Sequence, residues 1–209
     1  MPSIRFQASA SRRCGGILIR LLLLLVLTLS TAMAAWAGKP VAEDSGERVF
    51  LVATERLDGT SFERTVIFMV HFGGRGGTTG LAINRPTDIP LSEALPDVAG
   101  LRGDDVLYLG GPVSTRSIFV LLRTQSPKKG MMHLVEDIYF VPGHHVQGVE
   151  IEGESRAYAG YTGWAPGQLQ AEIDRGDWQV VRADPSLVFE RDTTDLWQQL
   201  FKQWSGSWI

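Results

Sequence analysis

The chain has 209 residues, with 20 Lys and Arg against 23 Asp and Glu, a formal net charge of −3, and 44% hydrophobic and 21% charged residues. That balance excludes a disordered, collagen-like or coiled-coil chain, and a pI near 5.8 argues against a dedicated nucleic-acid binder. The one cysteine, Cys14, excludes an intrachain disulfide.

Residues 1–37 read as an address. They carry Arg5, Arg12, Arg13 and Arg20 and no acid, then an apolar run from Leu21 to Leu29, then small residues ending at Ala35-Trp36-Ala37. This is the layout of a secretory signal peptide, with cleavage expected just before Gly38. The alternative is an uncleaved inner-membrane anchor over residues 17–37, because Leu21 to Ala37 is 17 residues, the short end of a spanning helix. Cleavage leaves 172 residues with 16 basic and 23 acidic side chains, a net charge of −7 and no cysteine. The expected compartment is therefore the periplasm or the exterior, where a cysteine-free chain has no thiol to oxidise.

Residues 38–47 are polar and read as a flexible lead to one domain over 48–209. Val49 to Ala53 reads as a buried strand and Asp58-Gly59-Thr60 as a turn. Arg64 to Phe72 is apolar on both faces, which predicts a strand in the middle of a sheet. Gly73 to Gly77 is a loop, and Thr79 to Asn84 is the returning strand, ended by Arg85-Pro86. Pro90 to Leu95 has room for a short helix only. Val106 to Leu109 is a strand stopped by Gly110-Gly111-Pro112, and Ser117 to Arg123 is the next. Residues 131–151 read as two or three short strands, and Ser155 to Tyr161 as another. Pro166 to Arg175 predicts a helix with Gly176 past its end, Asp177 to Val181 a strand, and about Thr194 to Gln203 a closing amphipathic helix. Strands outnumber helices and do not alternate with them, which predicts α+β.

Three stretches then carry a resemblance. The first is Phe50 to Ala53, Leu57-Asp58, Phe62 to Arg64 and Gly80 to Pro86. The second is Leu109 to Val113 with Phe119 to Leu121. The third is Ala159 to Trp164, Gly167 to Leu169, Glu172 and Gly176 to Trp178. In this order and spacing the chain resembles the YqgE/AlgH family over about residues 48–204. The resemblance implies a single compact α+β domain with a bifurcated, barrel-like, mostly antiparallel sheet and a few packed helices. It implies no established reaction, cofactor or catalytic set, although one branch is described as a regulator of alginate synthesis. The sequence departs from the family pattern at Thr54-Glu55, where a proline is expected, at Leu122, where many relatives carry histidine, and in its export signal.

The family-motif surface supplies the candidate binding residues: Asp58, Arg64, Asn84, Arg85, Pro86, Gly110, Gly111, Pro112, Tyr161, Gly163, Trp164 and Gln168. Asn84 is suited to bond backbone in a turn, and Arg85 offers a planar fork to a carboxylate or phosphate, or else pairs with a surface acid. Gly110-Gly111-Pro112 and Gly160 to Trp164 mark places where backbones approach closely. Trp164 is suited either to floor a ligand pocket, with Tyr161 and Gln168 as polar handles, or to pack under the helix that follows. The glycine loop around Arg75 lacks the lysine and the following helix of a P-loop. His144-His145 with Glu150, Glu152 and Glu154 lacks metal-site spacing, so no metal or cofactor is expected. Ser114, Thr115 and Ser117 have no base named beside them, and no catalytic residue is assigned. Lys128-Lys129 is far short of a phosphate-tracking stripe, so nucleic acid is not an expected partner.

The expected function is a non-enzymatic periplasmic binding or accessory domain that engages a protein or small-molecule ligand. A hydrolase of unknown substrate and a regulator of gene expression are the alternatives. A membrane is involved only if the N-terminal segment stays uncleaved.

Overall fold

The structure is a computed structural model and describes residues 49–71, 77–100, 104–142, 145 and 153–205. The expected leader, the lead to residue 47, the loop at 73–76, His144, Glu150 and Glu152 lie outside the described residues. No helix among the described residues is long and apolar enough to cross a membrane.

The domain is α+β, a mostly antiparallel curled sheet that closes into a half-barrel. Its strands are β1 (Val49–Ala53), β2 (Val66–His71), β3 (Thr78–Ala82), β4 (Pro86–Pro90), β5 (Val106–Leu109), β6 (Val113–Arg123), β7 (Met132–Val135), β8 (Ile138–Val141), β9 (Glu154–Trp164) and β10 (Trp178–Arg182). The helices among the described residues are α1 (Leu91–Ala94), α2 (Gln168–Asp174) and α3 (Leu196–Ser205). The main path of the sheet is β10-β1-β2-β3-β9-β6-β8-β7, with β4 on β5 and β5 on β9.

The central strands are apolar on both faces because the sheet is covered on both sides. Phe50, Val52, Phe68, Val70, Leu81 and Ile83 face one core, closed by Leu196 and Leu200 of α3 and by Val188 and Phe189. Leu51, Ala53, Ile67, Met69 and Ala82 face the other, closed by Leu169 of α2 with Trp164 and Trp178. A third cluster gathers Leu91 and Leu95 against Leu107, Val120, Leu122 and Ala157. The alternation of side chains along each strand assigns successive residues to opposite cores.

The bifurcation lies in β9. Tyr158 and Ala159 pair in parallel with Tyr108 and Leu109 of β5, and then Thr162 to Trp164 pair antiparallel with Gly80 to Thr78 of β3. Between them stands Gly160 at φ +70, a left-handed conformation that a side chain resists. A Cβ there would lie 2.5 Å from the Gly111 carbonyl oxygen, and a Cβ on Gly110 would collide with the Gly160 carbonyl. Gly110 N–H donates to Ala159 C=O at 2.9 Å, and its carbonyl accepts from Ala82 N–H at 2.9 Å. The glycine pairs thus let three strands cross at one point.

Several sequence boundaries move. β3 ends at Ala82, short of the expected Asn84, and Pro86, expected to stop that strand, instead opens β4 (Pro86–Pro90), which among the described residues pairs only with β5. An edge position tolerates prolines because no second ladder needs their missing N–H. Helix α2 begins after Gly167, which is left-handed at φ 80, so Pro166 stands before the helix and not in its first turn. Strands β6 and β9 are each 11 residues, longer than their apolar runs: β6 reaches back across a register shift to pair Val113 with Tyr161, and β9 runs on to pair Thr162–Trp164 with β3.

Candidate functional site

Four of the residues singled out from sequence come together. Arg64, Asn84, Arg85 and Pro86 line one open cleft of about 590 Å³, with Thr60 and Glu63 on one side. The opposite wall is the start of α3, including Thr194, Asp195 and Trp197, which no sequence signal had connected to the rest.

The cleft is built from backbone held by side chains. Arg64 has φ +50, a positive value for a residue with a long side chain. Its carbonyl accepts from Asn84 Nδ2 at 2.8 Å, and Asn84 Oδ1 accepts from Val66 N–H at 2.9 Å. Both ends of the Asn84 amide therefore lock the entry into β2. Arg85 Nη2 donates to Glu63 C=O and to Thr65 Oγ1, both at 2.6 Å. Arg85 thus holds the turn through a carbonyl and a hydroxyl, and among the described residues it makes no pair with a surface acid of the kind considered from sequence.

The Arg64 guanidinium lies over the Trp197 ring, 5.6 Å from its centroid, and makes no ion pair among the described residues. Trp197 is fixed in turn, since its Nε1–H donates to Ala53 C=O at 2.8 Å, tying α3 to β1. The chain enters α3 through Asp192, whose carboxylate accepts from Thr194 N–H at 3.0 Å. Hydrogen bonds from Thr194, side chain first and backbone second, hold the Asp192 carboxyl below its ordinary value. Two cations, Arg64 and Arg85, and two acids, Glu63 and Asp195, make the cleft polar and nearly balanced in charge.

The other candidates lie elsewhere. Asp58 is exposed and caps a short 3-10 turn, Glu55–Leu57. Gly110 and Gly111 are buried at the strand crossing, and Pro112 is exposed beside them. Thr162 is buried and its hydroxyl donates to Gly110 C=O at 3.3 Å. Tyr161 meets the Phe119 ring edge-on at 5.8 Å, and Gly163 is exposed on β9. Trp164 is 5% exposed and packs edge-on against Trp178. Glu172 Oε2 accepts from both indole N–H groups at 2.8 Å, while Gln168 Nε2 donates to Glu172 Oε1 at 3.0 Å. This arrangement holds α2 on the sheet, and Trp164 does not line the cleft. Ser114, Thr115 and Ser117 are exposed on β6. Glu154 pairs with Arg123 at 2.6 Å. No group of three or more metal-ligating side chains occurs among the described residues.

Sequence reasoning missed Thr60, Glu63 and the α3 residues of the cleft. The signal available for α3 was a polar N-terminal turn ahead of an apolar stripe, which places a helix but not its neighbour.

Comparison with known proteins agrees with this architecture. The AlgH-like family model matches residues 50–208. A UPF0301 protein of Mycobacterium tuberculosis is 34% identical over 173 residues, covering 78% of this chain and 85% of the relative. A UPF0301 protein of Mycobacterium avium is 32% identical over 182 residues, with 78% and 85% covered. Among solved structures, the crystal structure of a Corynebacterium diphtheriae protein is similar at TM-score 0.58 and 27% identity, over 74% of this chain and 85% of that one. The solution structure of the AlgH protein from Pseudomonas aeruginosa is similar at TM-score 0.57 and 28% identity, over 73% and 85%.

Proposed function

This chain belongs to the AlgH-like family, and on that premise we propose that it is a non-catalytic binding domain working outside the cytoplasm. It engages a protein or small-molecule partner through the cleft at Arg64. The observation that carries this reading is Arg64 itself: a non-glycine residue held at φ +50, with an unpaired guanidinium over Trp197 among the described residues. A sparsely populated backbone conformation costs on the order of 1–3 kcal/mol and persists where the surrounding structure enforces it, commonly at ligand-contacting positions. Asn84 supplies that enforcement here. A guanidinium on an aromatic face suits a partner that presents a carboxylate beside a planar or apolar group.

The cleft volume falls in the range of ligand pockets, and its polar, open character suits a surface segment as well as a small molecule. The arginine-bearing, acid-free segment before Leu21 and the small residues before Gly38 support export.

The test has two arms. Intact mass of the endogenous protein from separated fractions is expected to give a soluble periplasmic species starting near Gly38. A full-length cytoplasmic species would overturn the compartment. Capture of a partner from periplasmic extract is expected to depend on Arg64 and to vanish in Arg64→Ala. Turnover of generic ester or phosphate substrates, abolished by Ser114→Ala or Thr115→Ala, would replace the binding reading with a hydrolytic one.

A further inference from the structure

Trp197, in the wall of the cleft, has two flat neighbours. Phe201 stacks on it, with ring centroids 4.9 Å apart and 23° between the planes. The Arg64 guanidinium lies over its ring, 5.6 Å from the centroid. Both aromatic rings are half-buried and pack against the core, whereas Arg64 is exposed. Its side chain makes no hydrogen bond or ion pair among the described residues. A guanidinium recognises in two ways: its face holds a π-rich ring, and its edge takes carboxylate oxygens in the plane. Trp197 occupies one face, which leaves the other face and the edge.

The other charges of the cleft are placed differently. Arg85 spends Nη2 on Glu63 C=O and Thr65 Oγ1. Glu63 Oε2 accepts from Gly59 N–H at 3.0 Å, and neither Glu63 nor Asp195 pairs with Arg64 among the described residues. The two carboxylates repel a second negative charge on a ligand and offer acceptors to N–H groups. Gln198, exposed on α3, adds an amide to the same wall.

From this we infer that the cleft receives the carboxyl-terminal residue of a polypeptide, and that this residue is aromatic. The inference rests on the binding reading above and narrows its partner. The terminal carboxylate takes the edge of Arg64, and the aromatic ring lies on the remaining face of the guanidinium. Peptide N–H groups of the last residues donate to Glu63 and Asp195. A terminal carboxylate brings one negative charge, which suits one exposed arginine between two acids; a phosphate monoester brings close to two and meets those acids. The cleft is open and, at about 590 Å³, larger than a lone aryl acid requires, so the chain has room to continue out of it.

The test is calorimetric and NMR titration of the purified protein at constant ionic strength with four probes: acetyl-glycyl-phenylalanine, its C-terminal amide, acetyl-glycyl-leucine and phenylacetate. Saturable millimolar binding of the first is expected, with an upfield ring-current shift of the arginine Nε–H resonance that is missing from the Arg64→Lys spectrum. The amide loses the charged hydrogen bonds and should bind at least about tenfold more weakly. The leucine peptide loses an exposed cation–π contact and should bind about threefold more weakly. Phenylacetate has no peptide N–H for the acids and should also bind about threefold more weakly. Arg64→Lys keeps the charge and removes the planar fork, and should weaken the phenylalanine peptide about tenfold. The inference is overturned if that peptide does not saturate, if any of the other three probes binds as well, or if Arg64→Lys binds it unchanged. Arg64-dependent capture of a periplasmic partner, without binding of the peptide, would overturn this inference alone. Absence of both would overturn the binding reading with it.

Discussion

The side-chain amide of Asn84 donates to the carbonyl of Arg64 at 2.8 Å, across 20 residues of sequence. The oxygen of the same amide takes the Val66 N–H at 2.9 Å. One side chain thus holds the start of β2 and the backbone of the residue that faces the cleft. Asn84→Ala removes both bonds and leaves the Val66 N–H without its acceptor. The expected loss is about 1–3 kcal/mol, measured by urea unfolding. An unchanged unfolding midpoint would mean that water replaces the amide at no cost.

Arg64→Gly separates fold from recognition. Glycine adopts φ +50 without the penalty that a side chain carries there, so stability should stay within about 1 kcal/mol of the parent. The guanidinium over Trp197 is lost, and partner capture should be lost with it. Capture that persists in the glycine variant would move the binding surface away from this cleft.

Arg156→Leu strips the donors from the carbonyls of Val188 and Glu190 and breaks the tie between β9 and the segment before α3. Hydrogen bonds to charged groups contribute about 1.5–3 kcal/mol each, so a loss of at least about 3 kcal/mol is expected in chemical denaturation. A loss below about 1 kcal/mol would show that these carbonyls find other donors.

Gly160→Ala should be among the most damaging single-methyl changes in the domain. The residue sits at φ +70 inside β9, with the carbonyl oxygen of Gly111, in the buried connection between β5 and β6, 2.5 Å from the new Cβ. We expect a fall of about 2 kcal/mol or more, a drop in Tm of roughly 4–8 °C for a domain of this size. Gly59→Ala provides the contrast: it is also left-handed, at φ +74, but meets nothing within 4 Å, so it should cost about 1 kcal/mol from strain alone.

Asp177 gives the domain a specific acid sensitivity. Its side chain is 9% exposed, and hydrogen bonds first from Arg175 and then from Arg56 hold its carboxyl below the ordinary 3.8. A carboxyl with a depressed folded value stabilises the native state above the unfolded value. That stabilisation is lost as pH falls through the folded value. Unfolding free energy should therefore decline as the solution is acidified below about 4, and Asp177→Asn should flatten that part of the profile. A variant with the parent's acid limb would assign the sensitivity to other carboxylates.

Much of this architecture is legible in the chain because its causes are local. The two-faced apolar run at 66–71 places β2 inside a sheet, and the apolar stripe of Leu196, Trp197, Leu200 and Phe201 places α3 on a core. Asn84 ahead of Arg85-Pro86 reads as a residue that bonds backbone at a strand end, and it does so here. The edge strand at Pro86–Pro90 and the true start of α2 are illegible, since both follow from which neighbour the backbone finds and not from propensity. The partner of Arg85 is of the same kind, because a guanidinium accepts any oxygen that the fold brings near.

By itself, then, the sequence determined the α+β class, the order of most elements, the family and the group Arg64, Asn84, Arg85 and Pro86 as residues worth following. Composition, periodicity and turn chemistry act over a few residues, and all of these features are written at that range. Only the tertiary structure decided that α3 forms the far wall of their cleft, through a Trp197–Ala53 bond spanning 144 residues. Only it decided that Trp164 is core, bonded to Glu172, and that Arg156 is a buried cation without an acid partner among the described residues. The physical reason is the same in each case. Burial and pairing are properties of the surroundings that the folded chain assembles from distant segments, and no window along the sequence contains them.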